Sequence, residues 1–203
     1  MELHDNNEIN RVGSLRSDIE VELHTIPAIQ IWNGRKKSDD KHQIQSMTKA
    51  ISFLRLIETA QKINNHGANL KLIEINNQID IIKNLLQEQN NEIEQILNKV
   101  PPGFKISDAI SIKPVKLNLF INVPSGYQLV FLLCEFDVYV RKVQLAKHIS
   151  LISGNDASDK QNAIAHAMRS LITNITRFKL ETNQPDQNSD ETTNATIISE
   201  EAV

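Results

Sequence analysis

The sequence predicts an α+β, mostly helical fold, on three observations. Residues 115–123 alternate apolar and polar side chains at the period of a strand, and the segments around them repeat apolar residues at helical spacing. One of these repeats runs from Leu72 to Val100 without a Pro or Gly. With 203 residues, 40% of them hydrophobic, the chain can bury one core of ordinary domain size. We expect a single folded unit over 11–180, with a helical hairpin at 41–100 and a strand-helix-helix part at 113–180. Residues 181–203 are poor in large apolar side chains and rich in Asn, Thr, Asp and Glu, and we expect a disordered acidic tail there.

At the start of the folded part, Leu15, Ile19, Val21 and Leu23 alternate with Arg16, Asp18, Glu20, Glu22 and His24, which reads as a half-buried strand with an acidic outer face. The amphipathic stretch "IPAIQIWNG" follows, with Trp32 as a core anchor and Gly34 as a helix C-cap before a solvated loop. Ile44, Met47, Ile51, Leu54 and Ile57 predict a helix over 41–64, which "NNHG" terminates. Leu72, Ile75, Ile79, Ile82, Leu86, Gln89, Ile93, Ile96 and Val100 are then spaced 3 and 4 in strict alternation, a heptad seam broken by Gln89. An antiparallel hairpin within one chain and a seam between two chains both fit this pattern. Gln89 reads either as a register-setting residue or as a solvent-facing end of the seam. Pro101 and Pro102 stop the helix.

Val115, Leu117, Leu119, Ile121 and Val123 point to one face of the next strand, 113–123, and Lys116, Asn118, Phe120 and Asn122 to the other. "PSG" at 124–126 ends it, and Tyr127 to His148 reads as a strongly apolar helix with Leu129, Leu133, Phe136, Val140 and Val143 on one side. A final helix runs through Ile164, Met168, Leu171, Ile172 and Ile175 to about Leu180. Ser158 with Gln161 fits its capping box, and Asn155 and Asp156 are alternative caps.

Strand, turn, helix, turn, helix is the order of a ribbon-helix-helix module, in which two chains pair their strands antiparallel and the ribbon enters the DNA major groove. Lys116, Asn118 and Asn122 are the candidate base contacts, since Lys can donate to guanine O6 and N7 and Asn can bond adenine in bidentate fashion. The plainer alternative is an ordinary solvent-exposed strand face. Phe120 suits base reading poorly and packing against a neighbouring strand better. The first strand, with Asp18, Glu20 and Glu22 outward, would repel phosphate. It is expected to pair with the second strand at the sheet edge or to cover the core.

Lys113, Arg35, Lys36, Lys37, Arg141 and Lys142 are the candidate phosphate contacts, which position without specifying. Against this, Asp39 and Asp40 offset the "GRKK" cluster, and Arg141 and Lys142 also complement a helix C-terminus. The net charge of -3 conceals a basic body. The tail contributes six carboxylates and no cation and the first ten residues three more, leaving 11–180 at +6.

Other function classes find little support. A lone Cys134 within an apolar run cannot form a disulfide in one chain, and the six histidines fall in no metal-ligand spacing. No glycine-rich phosphate loop or nucleophile motif is present, and Glu135 and Asp137, two apart, do not share a helix face. We expect no enzyme, no cofactor and no metal. The polar N-terminus and the lack of a span of ~20 apolar residues predict a cytoplasmic, soluble protein without a membrane partner. The competing class is a non-catalytic scaffold or accessory protein that offers the 72–100 seam to a partner helix.

The segments "GSLRSDIEVELHT", "IWNGR" and "KPVKLNLFINVPSGYQLVFLLCEFDVYVRKVQLAKHISLIS", in this order around a helical middle region, resemble the AcaB family of proteins of integrative conjugative elements and conjugative plasmids. The similarity covers roughly residues 13–180 and leaves out the acidic tail. It implies a DNA-binding transcriptional regulator with a ribbon-helix-helix-like part that activates conjugative-transfer genes; the direction of regulation comes from the resemblance alone. The expected partners are promoter double-stranded DNA and a second copy of the chain. Contact with RNA polymerase is left open.

Overall fold

The computed structural model describes residues 19–37 and 43–179. The acidic tail, the first strand's residues before Ile19, and Asp39 and Asp40 lie outside that range. In chain order the elements are β1 (Ile19–Leu23), α1 (Ile26–Asn33), α2 (Met47–Lys62), α3 (His66–Leu97), β2 (Val115–Leu119), α4 (Pro124–His148) and α5 (Gly154–Thr176). All five helices contribute to one buried apolar cluster, so the fold is α+β and mostly helical.

β1 and β2 pair antiparallel, with Ile19 opposite Leu119 and Leu23 opposite Val115. The ribbon expected between two chains therefore forms within one, and pairing is the role the first strand takes. Both strands alternate in the same phase, so this register puts their apolar residues on one side. Leu119, Ile121, Val123 and Val130 form a second buried cluster there, against Ile19, Val21, Leu117, Ile51 and Trp32. Trp32 also packs on the main cluster and so joins the two, as a core anchor would.

Two glycines fix tight corners. Gly34 caps α1 at φ 67, and a Cβ there would lie 2.6 Å from the Ile44 carbonyl oxygen. A Cβ on Gly126 would lie 2.8 Å from Ile121 Cγ2, so the strand-to-helix corner closes only without one. α4 begins at Pro124 rather than Tyr127, because Pro is well suited to a first helical turn whose N–H groups lack intrahelical partners. The capping box of α5 is Ser153 with Asp156, not Ser158 with Gln161. Ser158 lies one turn inside the helix, where its hydroxyl donates to the Gly154 carbonyl.

The heptad seam is consumed inside the chain. Leu72, Ile75, Ile79, Ile82, Leu86 and Ile93 are buried, and α3 touches α2, α4 and α5. An apolar seam left open for a partner helix, the requirement of the scaffold alternative, is therefore not present on α3. Gln89 is half-buried and its side-chain oxygen lies 3.5 Å from the Tyr139 hydroxyl, which settles its role as a polar contact between α3 and α4. Beyond it, Lys142 reaches Glu94 at 2.6 Å and Lys160 reaches Glu92 at 2.6 Å, tying the end of α3 to α4 and α5.

α4 is the central element. It touches β1 and the other four helices, and its buried residues fall on several faces, as a helix apolar all round requires. Among them is Asp137, only 2% exposed. Its Oδ1 accepts the N–H groups of His24 at 3.1 Å and Thr25 at 2.9 Å and the Thr25 hydroxyl at 2.8 Å. Arg141 Nε lies 3.5 Å from Oδ2, an ion pair without hydrogen-bond alignment. A buried carboxylate costs several kcal/mol in desolvation unless it is paired and bonded in this way.

Replacing Asp137 by Ala strands these donors and should cost about 3 to 5 kcal/mol in urea unfolding. Asp137→Asn keeps an acceptor oxygen and should cost less; equal losses would remove the anchoring role. Burial, and then the charge of Glu92, push the Tyr139 phenol up to about 12. The folded state thus holds a proton on it that the unfolded chain releases near pH 10, so stability should fall as pH rises from about 10 to about 12. An ultraviolet titration in which Tyr139 ionises near pH 10 would contradict this.

Candidate nucleic-acid interface

The ribbon turns Lys116 and Asn118 of β2 outward beside Glu20 and Glu22 of β1. The register sets Glu22 opposite Lys116 and Glu20 opposite Asn118. Lys116 Nζ lies 2.9 Å from Glu22 Oε1 and 3.1 Å from Glu20 Oε1. The hydrogen bond from Lys116, then its charge, hold the Glu22 carboxyl below its ordinary range, and the bond to Glu22 raises the Lys116 ammonium. Two carboxylates meet one ammonium, so the face is net acidic. Charge alone therefore does not separate the two strands: antiparallel pairing merges their outer faces.

The other candidates divide into two groups. Asn118 and Asn122 are exposed, Asn122 lying past the end of β2, and Phe120 between them is exposed as well. Lys113 is exposed ahead of the strand, in a segment held by the Ser111 N–H, which donates to His24 Nδ1 at 3.2 Å. Arg141 and Lys142, by contrast, are half-buried and answered within the chain, by Asp137 and by Glu94 with Asn90.

Arg35, Lys36 and Lys37 are exposed just after α1. Arg35 and Ile44 exchange two backbone hydrogen bonds of 2.8 Å, which clamp the base of this loop shut. Ile44 also forms one wall of a cleft of about 430 Å³ whose other wall is α5. His166, Arg169, Ser170, Thr173 and Arg177 line that wall. Sequence reasoning missed this set. Its signal was the helical spacing of 3, 1, 3 and 4, which places the five residues on the side of α5 opposite the apolar stripe of Ile164, Met168, Leu171, Ile172 and Ile175.

Arg169 is half-buried in this cleft, and its Nε is buried with no hydrogen-bond partner among the described residues. Burial first, and the charge of Arg35 second, lower its proton affinity. Next to it, Asn174 is fixed by its own bonds: its amide donates to Glu74 at 2.7 Å and to Gln78 at 2.9 Å, and its oxygen accepts from Lys71 at 2.6 Å. Glu74 is in turn paired with Lys71 at 2.9 Å. No cluster of metal-ligating side chains occurs among the described residues, and no helix there is long and apolar enough to cross a membrane.

Comparison with known proteins bears on the whole chain. The backbone is similar to the crystal structure of AcaB from uropathogenic E. coli, with a TM-score of 0.63 and 11% sequence identity, over 80% of this chain and 78% of that one. At that identity the likeness speaks for the fold. No curated protein matches the sequence. The sequence model of the family described as transcriptional regulator AcaB matches residues 11–201, so the chain belongs to the AcaB family of transcriptional regulators.

Proposed function

We propose that this transcriptional regulator binds promoter DNA sequence-specifically as a homodimer and activates conjugative-transfer genes. The observation that carries the DNA reading is the ribbon: its apolar side sits on the helices and its other side presents Lys116 and Asn118, the side chains that base edges accept. The homodimer rests on the second edge of β2. In a two-stranded sheet of order β1-β2 that edge has no strand partner among the described residues, and an unpaired edge is a template for a second copy. Exposed Phe120 lies just beyond it. The direction of regulation and the transfer genes follow from the family resemblance.

Under this reading Lys116, Asn118 and Asn122 meet bases, and Lys113, Arg35, Lys36 and Lys37 meet phosphates. Arg141 and Lys142 are left to hold α4, since carboxylates already answer them. Lys116 must exchange Glu20 and Glu22 for a base on binding, and the two carboxylates then act as a brake on non-specific DNA.

The test is binding of the purified protein to promoter fragments of its own genetic element and to an unrelated duplex across a salt series. Promoter-selective binding is expected, with Lys116→Ala and Asn118→Ala each losing about 1 to 3 kcal/mol on the promoter. Lys36→Ala should weaken all sequences alike and flatten the salt dependence. Glu20→Gln with Glu22→Gln should bind both duplexes more tightly. A folded protein that binds neither duplex at low salt would refute the reading.

A further inference from the structure

The order strand, helix, helix occurs twice among the described residues, as β1-α1-α2 and as β2-α4-α5, with α3 between them. A half-turn relates the two halves. Val21 opposite Leu117 is the middle of the ribbon register, and rotation about that point carries Ile19 onto Val115 and Leu23 onto Leu119. The helices obey the same relation: α1 meets α4 and α2 meets α5, while α1 meets α5 as α4 meets α2. Both α1 and α4 also carry a proline in the first turn. The inward positions keep the symmetry, since Ile19, Val21, Leu117 and Leu119 share one apolar cluster. The outward positions break it. The half-turn carries Glu20 onto Lys116 and Glu22 onto Asn118, all four of them exposed, so one half presents two carboxylates where the other presents an ammonium and an amide.

We infer that each chain reads a non-palindromic DNA element, with base donors supplied by the β2 half alone and with Glu20 and Glu22 as the residues that make the two halves unlike. The inference rests on the proposed reading of bases by the ribbon and adds what kind of sequence the ribbon reads. Two identical chains that pair their strands present the same residues twice, and the palindromy of an operator mirrors that two-fold symmetry. A ribbon made within one chain is free of this constraint. An ionised carboxylate accepts hydrogen bonds and donates none. The β1 half therefore cannot bond guanine O6 and N7, as the Lys116 ammonium can, nor offer adenine the paired donor and acceptor of Asn118. A second copy joined at the other edge of β2 would bring a second element, one for each chain.

The full-length protein should be used to select duplexes from a randomised pool, with the number of chains in the selected complex measured by native mass spectrometry. The selected sites should contain, for each bound chain, one copy of a short motif without internal two-fold symmetry. Glu20→Lys with Glu22→Asn places the β2 residue types at the equivalent β1 positions. Each outward pair across the ribbon is then a lysine opposite an asparagine, so like charges do not meet directly. This variant should select two copies per chain, as an inverted repeat, and prefer the repeat to a single copy by about tenfold or more. Glu20→Ala with Glu22→Ala removes the charge without adding donors, and should bind more tightly while still selecting one copy per chain. A parent site with two inverted copies for each bound chain would overturn the asymmetry and leave base reading by the ribbon intact. So would a lysine and asparagine variant that selects the single motif of the parent. A parent that selects no motif overturns the base reading itself, and the inference with it.

Discussion

Asp137 accepts three hydrogen bonds at one oxygen, all from the two residues that follow β1, and the geometry of everything outside the helix bundle follows from that contact. The N–H groups of His24 and Thr25 are where the chain turns from strand to helix, so the carboxylate fixes the end of β1 and the start of α1 together. Thr25 also caps α1, its side-chain oxygen accepting the Ala28 N–H at a long 3.5 Å. With β1 tied to α4 at that point, β2 can add to it in one register, since a slip by one residue would turn Leu117 and Leu119 to solvent. His24 carries the tie further by accepting from the Ser111 N–H, which steadies the chain just before β2.

The same register decides the electrostatics. Opposing residues on a two-stranded sheet share a face, so pairing puts Glu20 and Glu22 beside Lys116 whatever each strand would present alone. A ribbon that reads as basic in one strand becomes mixed in two. Other described cations are placed by the helices that carry them. Lys142 and Lys160 sit where α4 and α5 pass the glutamates of α3 and are neutralised there. Arg169 and Arg177 line one side of α5, where the charge of Arg35 is near enough to lower the proton affinity of Arg169.

The helix bundle explains why α3 is so regular. A helix of 32 residues must keep one face inward over its whole length, and a strict 3 and 4 spacing does this against α2 and α5 as well as α4. The periodicity of a coiled coil therefore does not by itself require a second chain. Among the described residues, the second edge of β2 has no strand partner.

Local side-chain chemistry was enough to determine the helices, the two strands, the inward face of each and the Gly34 cap, because period, capping and breaking act over a few neighbouring residues. Val115 to Leu119 and Leu72 to Ile93 were legible for that reason. Tertiary structure decided which strand β1 would pair with, that the α3 seam would be covered within the chain, and that Asp137 would be an anchor. It also decided which charges would meet: Lys116 with Glu20 and Glu22, Lys142 with Glu94, and Arg169 with the nearby charge of Arg35. These facts depend on residues about fifty to more than a hundred positions apart meeting in space, and no local pattern encodes the distance between two side chains whose separation is set by the packing of helices.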